Sequence, residues 1–358
     1  MSALLKHGKV IAFSSLVAAL SGAALAAGQS SLQVNPYSPS YGHQYRHGVI
    51  PTMETWHVMQ AYESASNRLK VTRKTLFYGG GTNDSGIANA GVTSGPEKVY
   101  LVFYGSQWGT QHSSGGRVTF SNDPVNAAPY LQNLFLGLGT GEGWSTVMTQ
   151  YCDGAAAMAG SASCPKNANF VPYPAGGTVL AGVWYDNSAA SPQQATVAQL
   201  AQEALNAAAH FGNTTAASNR YAQYVILSAT GTNPDGFNAG ANFCAWHDYT
   251  TSTAGNVAYT NMPYVYDAGA SCGQNFVNAG VGGVDDGFSI VEGHEYAETI
   301  TDQFPSFGWV TKRGSETGDV CAWISSGQGA AGNVAMKTGV FAMQSTYSNN
   351  NGACELTL

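Results

Sequence analysis

Charge is what this sequence has least of. Only 10 % of its 358 residues are Asp, Glu, Lys or Arg, with a formal net charge of −7. No long basic run exists to track a phosphate backbone, which argues against nucleic acid as a partner. Past the N-terminus no stretch reaches the ~20 apolar residues that a membrane-spanning helix needs. There is no C-x-x-C for a thiolate metal site or redox pair. Gly79-Gly80-Gly81 leads into no phosphate-binding helix, which argues against nucleotides. Internal repeats and heptads are absent as well.

What is present is a low-charge surface chemistry, with 44 Gly and 19 Tyr, common in exported chains and unlike a charged disordered one. Residues 1–26 read as a secretory signal peptide. Lys6, His7 and Lys9 precede an apolar core from Val10 to Leu20, and Ala24-Leu25-Ala26 offers a cleavage site. Its removal deletes Lys6 and Lys9 and no acid, taking the formal charge from −7 to −9. The expected location is outside the cell or in a periplasm. The six cysteines, Cys152, Cys164, Cys244, Cys272, Cys321 and Cys354, are even in number and suit an oxidising compartment. Six cysteines permit 15 pairings; short loop closure favours the sequential one.

Residues 27–70 are poorly patterned and read as an N-terminal extension or propeptide, with a short helix over Met53–Tyr62. From 71 to 358 the grammar is that of one α/β domain. Strands are expected at Thr75–Tyr78, Val99–Tyr104, Val179–Tyr185, Tyr224–Ser228 and Val257–Tyr259. Helices are expected at Asn126–Leu138 and Pro192–Phe211. The alternation predicts a mixed sheet flanked by helices and stapled by disulfides.

The most informative stretch is Ser289–Asp302. At 3.6 residues per turn Ile290, Gly293, Ala297, Ile300 and Phe304 form a packing stripe. His294 and Glu298 stand one turn apart and converge. Ser289 and Glu292 have capping-box spacing, with Asp285 and Asp286 as an alternative start. The pattern is one letter from H-E-x-x-H, whose histidines bind zinc and whose Glu activates water. Glu298 is an acceptable zinc ligand, but it also opens the site to Mn²⁺ or Ca²⁺. A plain solvated helix face is the competing reading. Among Asp302, Glu316 and Asp319 as third ligand, Asp302 is too far along the helix, and Asp319 is favoured over a turn-capping role. His247, in Phe243-Cys244-Ala245-Trp246-His247-Asp248, is a candidate oxyanion donor or a buried structural histidine. His112 and His210 are weaker candidates.

Val99-Tyr100-Leu101-Val102-Phe103-Tyr104-Gly105-Ser106-Gln107-Trp108, Cys244-Ala245-Trp246-His247, Gly293-His294-Glu295-Tyr296-Ala297-Glu298 and Gly318-Asp319-Val320-Cys321 together resemble a mostly uncharacterised family of secreted bacterial proteins. A more distant resemblance is to the plant phosphate-induced, exordium-type proteins. The H-E-x-x helix and the sheet-then-helix order separately resemble the zincin metallopeptidases. Glu298 departs from the second zincin histidine.

The resulting expectation is a secreted, monomeric, zincin-like metallohydrolase acting on polypeptides. His294, Glu298 and Asp319 would hold Zn²⁺, or Ca²⁺ or Mn²⁺ in its place. Glu295 would be the general base and His247 the oxyanion donor. The alternatives are a non-catalytic cell-surface or polymer-binding protein with a structural metal, and a metal-free acid peptidase using Glu295 and Glu298.

Overall fold

The architecture was determined as a computed structural model that describes residues 35–65, 74–83 and 87–358. The signal-peptide reading, over residues 1–26, lies outside the described residues. All described residues fall in one compact unit.

Runs of buried apolar residues make the sheet. Its strands are β1 (His47–Pro51), β2 (Lys98–Tyr104), β3 (Leu180–Asp186), β4 (Ala222–Ser228), β5 (Phe243–Ser252) and β6 (Gly255–Met262), in the order β1-β5-β6-β4-β2-β3. Strands β3, β2, β4 and β6 are mutually parallel, whereas β5 runs antiparallel to β6, and β1 antiparallel to β5. Val99 and Leu101–Phe103 of β2, and Tyr224–Leu227 of β4, are almost wholly buried, as strands covered on both faces must be. The mixed sheet flanked by helices and the three staples are therefore present.

The helices are α1 (Met53–Ala65), α2 (Ala127–Gly137), α3 (Val197–His210) and α4 (Asp286–Thr301). Helix α3 starts later than the expected Pro192. The Thr196 hydroxyl accepts from the Gln199 N–H, and Gln199 answers with its own side chain on the Thr196 N–H, which fixes the N-terminus there. No strand is expected from the sequence over Phe243–Asp248 or His47–Pro51, yet β5 and β1 form there. Strand β5 pairs with β6 across seven residues, from Trp246–Asn261 to Ser252–Gly255. His247 is thereby a strand residue, pointing to the side where α4 packs.

Cys152–Cys164, Cys244–Cys272 and Cys321–Cys354 are bridged, the sequential pairing. Each closes a short to middling loop, and by chain entropy contributes about 3–4 kcal/mol. The staples fit a secreted protein, and among the described residues no helix is long and apolar enough to cross a membrane.

Helix α4 differs most from expectation. Every residue from Asp286 to Thr301 is buried, so the solvated polar face does not exist. The helix is enclosed by β1, β5, α2 and the hairpin Gly332–Met343. Gly293 is where Met343 crosses; a Cβ there would meet the Met343 Cε at 2.7 Å. The Ser289 capping box is not formed, because the helix begins at Asp286 and Ser289 donates to the Ala342 carbonyl at 2.6 Å. Neither oxygen of Glu292 has a hydrogen-bond partner.

Candidate metal centre

The site is built on the last two turns of α4. His294 Nε2 and Glu298 Oε2 lie 3.2 Å apart, as one-turn spacing allows. The loop after the helix closes over them. Gly318 and Asp319 donate their backbone N–H groups to Glu298 Oε1 at 2.9 and 2.8 Å. This approach requires glycine, since a Cβ at Gly318 would fall 2.8 Å from His294 Nδ1 and 3.0 Å from Glu298 Oε1. The two N–H bonds turn Glu298 so that Oε2 faces inward. That oxygen is buried and has no hydrogen-bond partner.

Three further side chains converge on it. Asp319 Oδ1 stands 3.8 Å from His294 Nε2, while its Oδ2 accepts the Glu316 N–H at 3.0 Å. Asp319 thus caps the turn through Oδ2, the competing role, and leaves Oδ1 facing the cluster. His247, carried by β5, places Nε2 3.8 Å from Glu298 Oε2 and 3.1 Å from Glu316 Oε2. Glu295 brings one oxygen within 4.8 Å of donor atoms of both His247 and Glu298, and the trio His294, Glu298 and Asp319 meets the same limit. His294, Glu298, Asp319, Glu295 and His247 are therefore brought together. Asp302 is turned away; its oxygens accept from the Ser306 and Gly308 N–H groups. Of the weaker candidates, His210 stacks on Trp184 at the far side of the sheet, with ring centroids 4.4 Å apart. His112 is exposed on a small hairpin.

The electrostatics are those of acids in want of a cation. Burial pushes Glu295 well above the usual carboxylate range, and Glu298, Glu292 and Asp319 push it further. Burial and then Asp302, Glu298, Asp319 and Glu295 do the same to Glu316. Burial and Glu298 raise Asp319 to about 7, against the pull of His294. Burial alone would depress His294, but the Glu298 charge, its hydrogen bond, Asp319 and Gln344 outweigh it and carry the imidazole up to about 9. Burial holds His247 well below the ordinary histidine range, helped by the charges of His47 and His294.

Two participants escaped the sequence. Gln344 puts Oε1 3.3 Å from His294 Nδ1 while its amide donates to the Gly318 carbonyl at 2.8 Å. Its amide nitrogen is thus engaged, so Oε1 faces the ring and Nδ1 carries the hydrogen. Nε2 then donates toward Glu298 Oε2 and the Gly48 carbonyl, and an ion would take the place of that hydrogen, with Nδ1–H held as in metal-bound histidine. Gly48 of β1 lays its carbonyl oxygen 3.1 Å from His294 Nε2. A lone Gln after a hairpin and a Gly in an unpatterned segment carry no motif that could have flagged them.

The donor set fits a divalent ion. The trio His294, Glu298 and Asp319 offers one imidazole nitrogen and two carboxylate oxygens, which suit Zn²⁺ or Mn²⁺, whereas Ca²⁺ prefers oxygen alone. A cation would also provide the partner that Glu298 Oε2 lacks and reverse the mutual repulsion of the acids. No family model matches the chain, and neither a curated protein nor a solved structure shows significant similarity to it.

Proposed function

We propose that the chain is a secreted, metal-dependent hydrolase of polypeptides with a zincin-like domain. The observation that carries this reading is the buried convergence of Glu298 Oε2, His294 Nε2 and Asp319 Oδ1, with His247 and Glu295 alongside. His294, Glu298 and Asp319 would hold the ion, with Zn²⁺ the first choice for an N/O set of this kind. When bound, the ion supplies a Lewis acid that polarises a carbonyl and acidifies a water.

The remaining chemistry belongs to the side chains. Glu295 is not on the His294–Glu298 line, yet it reaches the same space and has no hydrogen-bond partner on either oxygen. Its place beside the ligand atoms suits it to take a proton from water and return it to a departing amine, a bound cation offsetting the burial and acidic neighbours that otherwise keep it protonated. His247, kept neutral by burial, offers Nε2–H across the site to an oxygen that gains negative charge. Gln344 positions His294.

The decisive measurement is the metal content of purified, extensively dialysed protein together with chelator-sensitive cleavage of an unfolded polypeptide. About one Zn²⁺ or Mn²⁺ per chain, lost in Glu298→Ala, supports the proposal. A wild type with neither bound metal nor chelator-sensitive cleavage sinks it. The close approach of Glu295 and Glu298 favours one second reading, an acid peptidase without metal. Chelator-resistant cleavage that increases toward low pH would select it.

A further inference from the structure

Strand β1 does more than extend the sheet. Without it, β5 would be the sheet edge beside α4, with a row of unpaired main-chain groups facing the metal-ligand cluster. Strand β1 lies antiparallel on that edge, with His47 opposite His247, Ile50 opposite Ala245 and Pro51 opposite Phe243. The register breaks between His47 and Ile50, and at this bulge the main chain dips into the site. Gly48 adopts φ +49°, and its carbonyl meets His294 Nε2 at 3.1 Å. A Cβ at this position would lie 1.9 Å from Glu298 Oε2 and 2.5 Å from His247 Nε2. Only glycine passes here.

The strand is fastened on both sides of Gly48. Upstream, Arg46 pairs with Asp235 at 2.7 Å and donates to the Pro39 carbonyl, while Tyr45 donates to Asp235. Downstream, the Pro51 carbonyl accepts from Trp323 Nε1 at 2.8 Å, and the Thr52 N–H donates to Asn242. A cavity of ≈ 500 Å³, lined by residues including Pro36, Tyr41, Arg46, Gly240 and Asn242, opens beside residues 36–46. Helix α1 has no buried residue.

An extended segment that adds to a sheet edge through main-chain hydrogen bonds is a general mode of polypeptide recognition. We propose that β1 is a pseudosubstrate. Residues 46–51 occupy the place of an extended polypeptide substrate beside β5, presenting the Gly48 carbonyl where a substrate carbonyl is presented to His294 and Glu298. Two consequences follow for the hydrolase reading on which this rests. The substrate is an extended polypeptide with glycine over Glu298 and His247, and the chain with β1 docked is latent.

The test uses the full secreted chain, its Arg46→Ala and Gly48→Leu variants, and a synthetic peptide spanning residues 43–52. Arg46→Ala removes a fastening remote from the ligands; Gly48→Leu forces the strand out of the site. Bound metal and chelator-sensitive cleavage of an unfolded, labelled polypeptide are read on each. Both variants keep the wild-type metal content, and cleavage rises by about tenfold or more as the undocked population grows. The peptide inhibits Arg46→Ala, and its Gly48→Leu counterpart is weaker by about tenfold or more. Should Gly48→Leu not fold, Arg46→Ala and the two peptides decide the matter. Metal-loaded variants that cleave no faster than wild type, or a peptide without effect, overturn the pseudosubstrate while leaving the hydrolase in place. Absence of metal and of chelator-sensitive cleavage from every form overturns the hydrolase reading and the pseudosubstrate together.

Discussion

His294 and His247 are equally buried, reach toward the same oxygen of Glu298, and are pushed in opposite directions. His294 is raised to about 9, while His247 falls well below its ordinary value. Burial acts on both alike and disfavours the cation. The difference comes from partners. His294 has Glu298 at 3.2 Å, Asp319 at 3.8 Å and Gln344 on its other nitrogen. His247 stands 3.8 Å from Glu298, its Nδ1 has no partner, and its nearest acid is Glu316, itself raised by burial. A few tenths of an ångström and one amide separate a histidine poised to exchange a proton for a metal from one held neutral.

The largest effect should come from removing the oxygen that both share. Glu298→Ala deletes the inward Oε2 and strands the Gly318 and Asp319 N–H groups. Metal and chelator-sensitive hydrolysis should both vanish, and stability should fall by about 1–3 kcal/mol per orphaned donor. Elemental analysis and denaturant unfolding read these separately; a variant that keeps its metal would remove Glu298 from the ligand set.

Glu295→Gln comes next. It preserves shape and should preserve metal, while hydrolysis drops by about 10²–10⁴-fold, the usual cost of a lost general base. Loss of metal in this variant would make Glu295 a ligand instead. His247→Asn sharpens the contrast: as a donor to the substrate oxygen it should cost turnover with metal content unchanged.

Gln344→Ala tests whether the partner on Nδ1 distinguishes the two histidines. Releasing the His294 ring should weaken metal affinity by about 10–100-fold, as measured by competition with a chromophoric chelator. Gln344→Glu, which keeps an acceptor toward Nδ1, should recover most of it, whereas a purely structural role would leave affinity unmoved in both.

The smallest effects are in the pH dependence of the metal-free fold. A histidine raised to about 9 contributes stability that is complete below its unfolded value of about 6.5 and is lost as pH climbs through 9. His247, depressed, does the opposite, contributing stability above about 6.5 that is lost as pH falls. In chelator, His294→Gln should flatten the alkaline limb and His247→Gln the acid limb. Each change should be on the order of 1 kcal/mol, because coupled neighbouring acids take up part of the proton. Glu97, buried beside Tyr296 and raised to about 8 by burial, gives an independent control outside the ligand cluster. Its carboxyl costs stability as pH rises from about 4.5 to 8, so Glu97→Gln should relieve that loss and leave metal binding untouched.

The helix was legible because its information is local. The spacing of His294 and Glu298 follows from helical geometry, and hydrophobic runs such as Val99–Tyr104 declare buried strands without reference to anything else. The cysteine pairing was legible for a related reason, since short loops close most readily. Strand β5 was hidden: Phe243–His247 is apolar, but the cysteine, Trp and His drew attention to side chains, while the pairing that makes it a strand lies with β6. The competing reading of α4 as a solvated face fails because periodicity reports which residues share a side, not what stands against that side. Here β1, β5 and the hairpin ending at Met343 stand against it, and they enclose Glu292 and Glu295 as completely as Ile290.

By itself, the sequence determined which donors ride together on α4, which stretches form buried strands, and which cysteines lie close enough along the chain to close short loops. Tertiary structure alone decided that His247 arrives at Glu298 from 51 residues upstream. It also decided that Gln344 orients His294 and that the Gly48 carbonyl lies over the site. The physical reason is that side-chain spacing within a helix is a property of the helix. A carbonyl, by contrast, is carried by every residue, and its use is settled only when a distant strand edge fixes where that backbone must run.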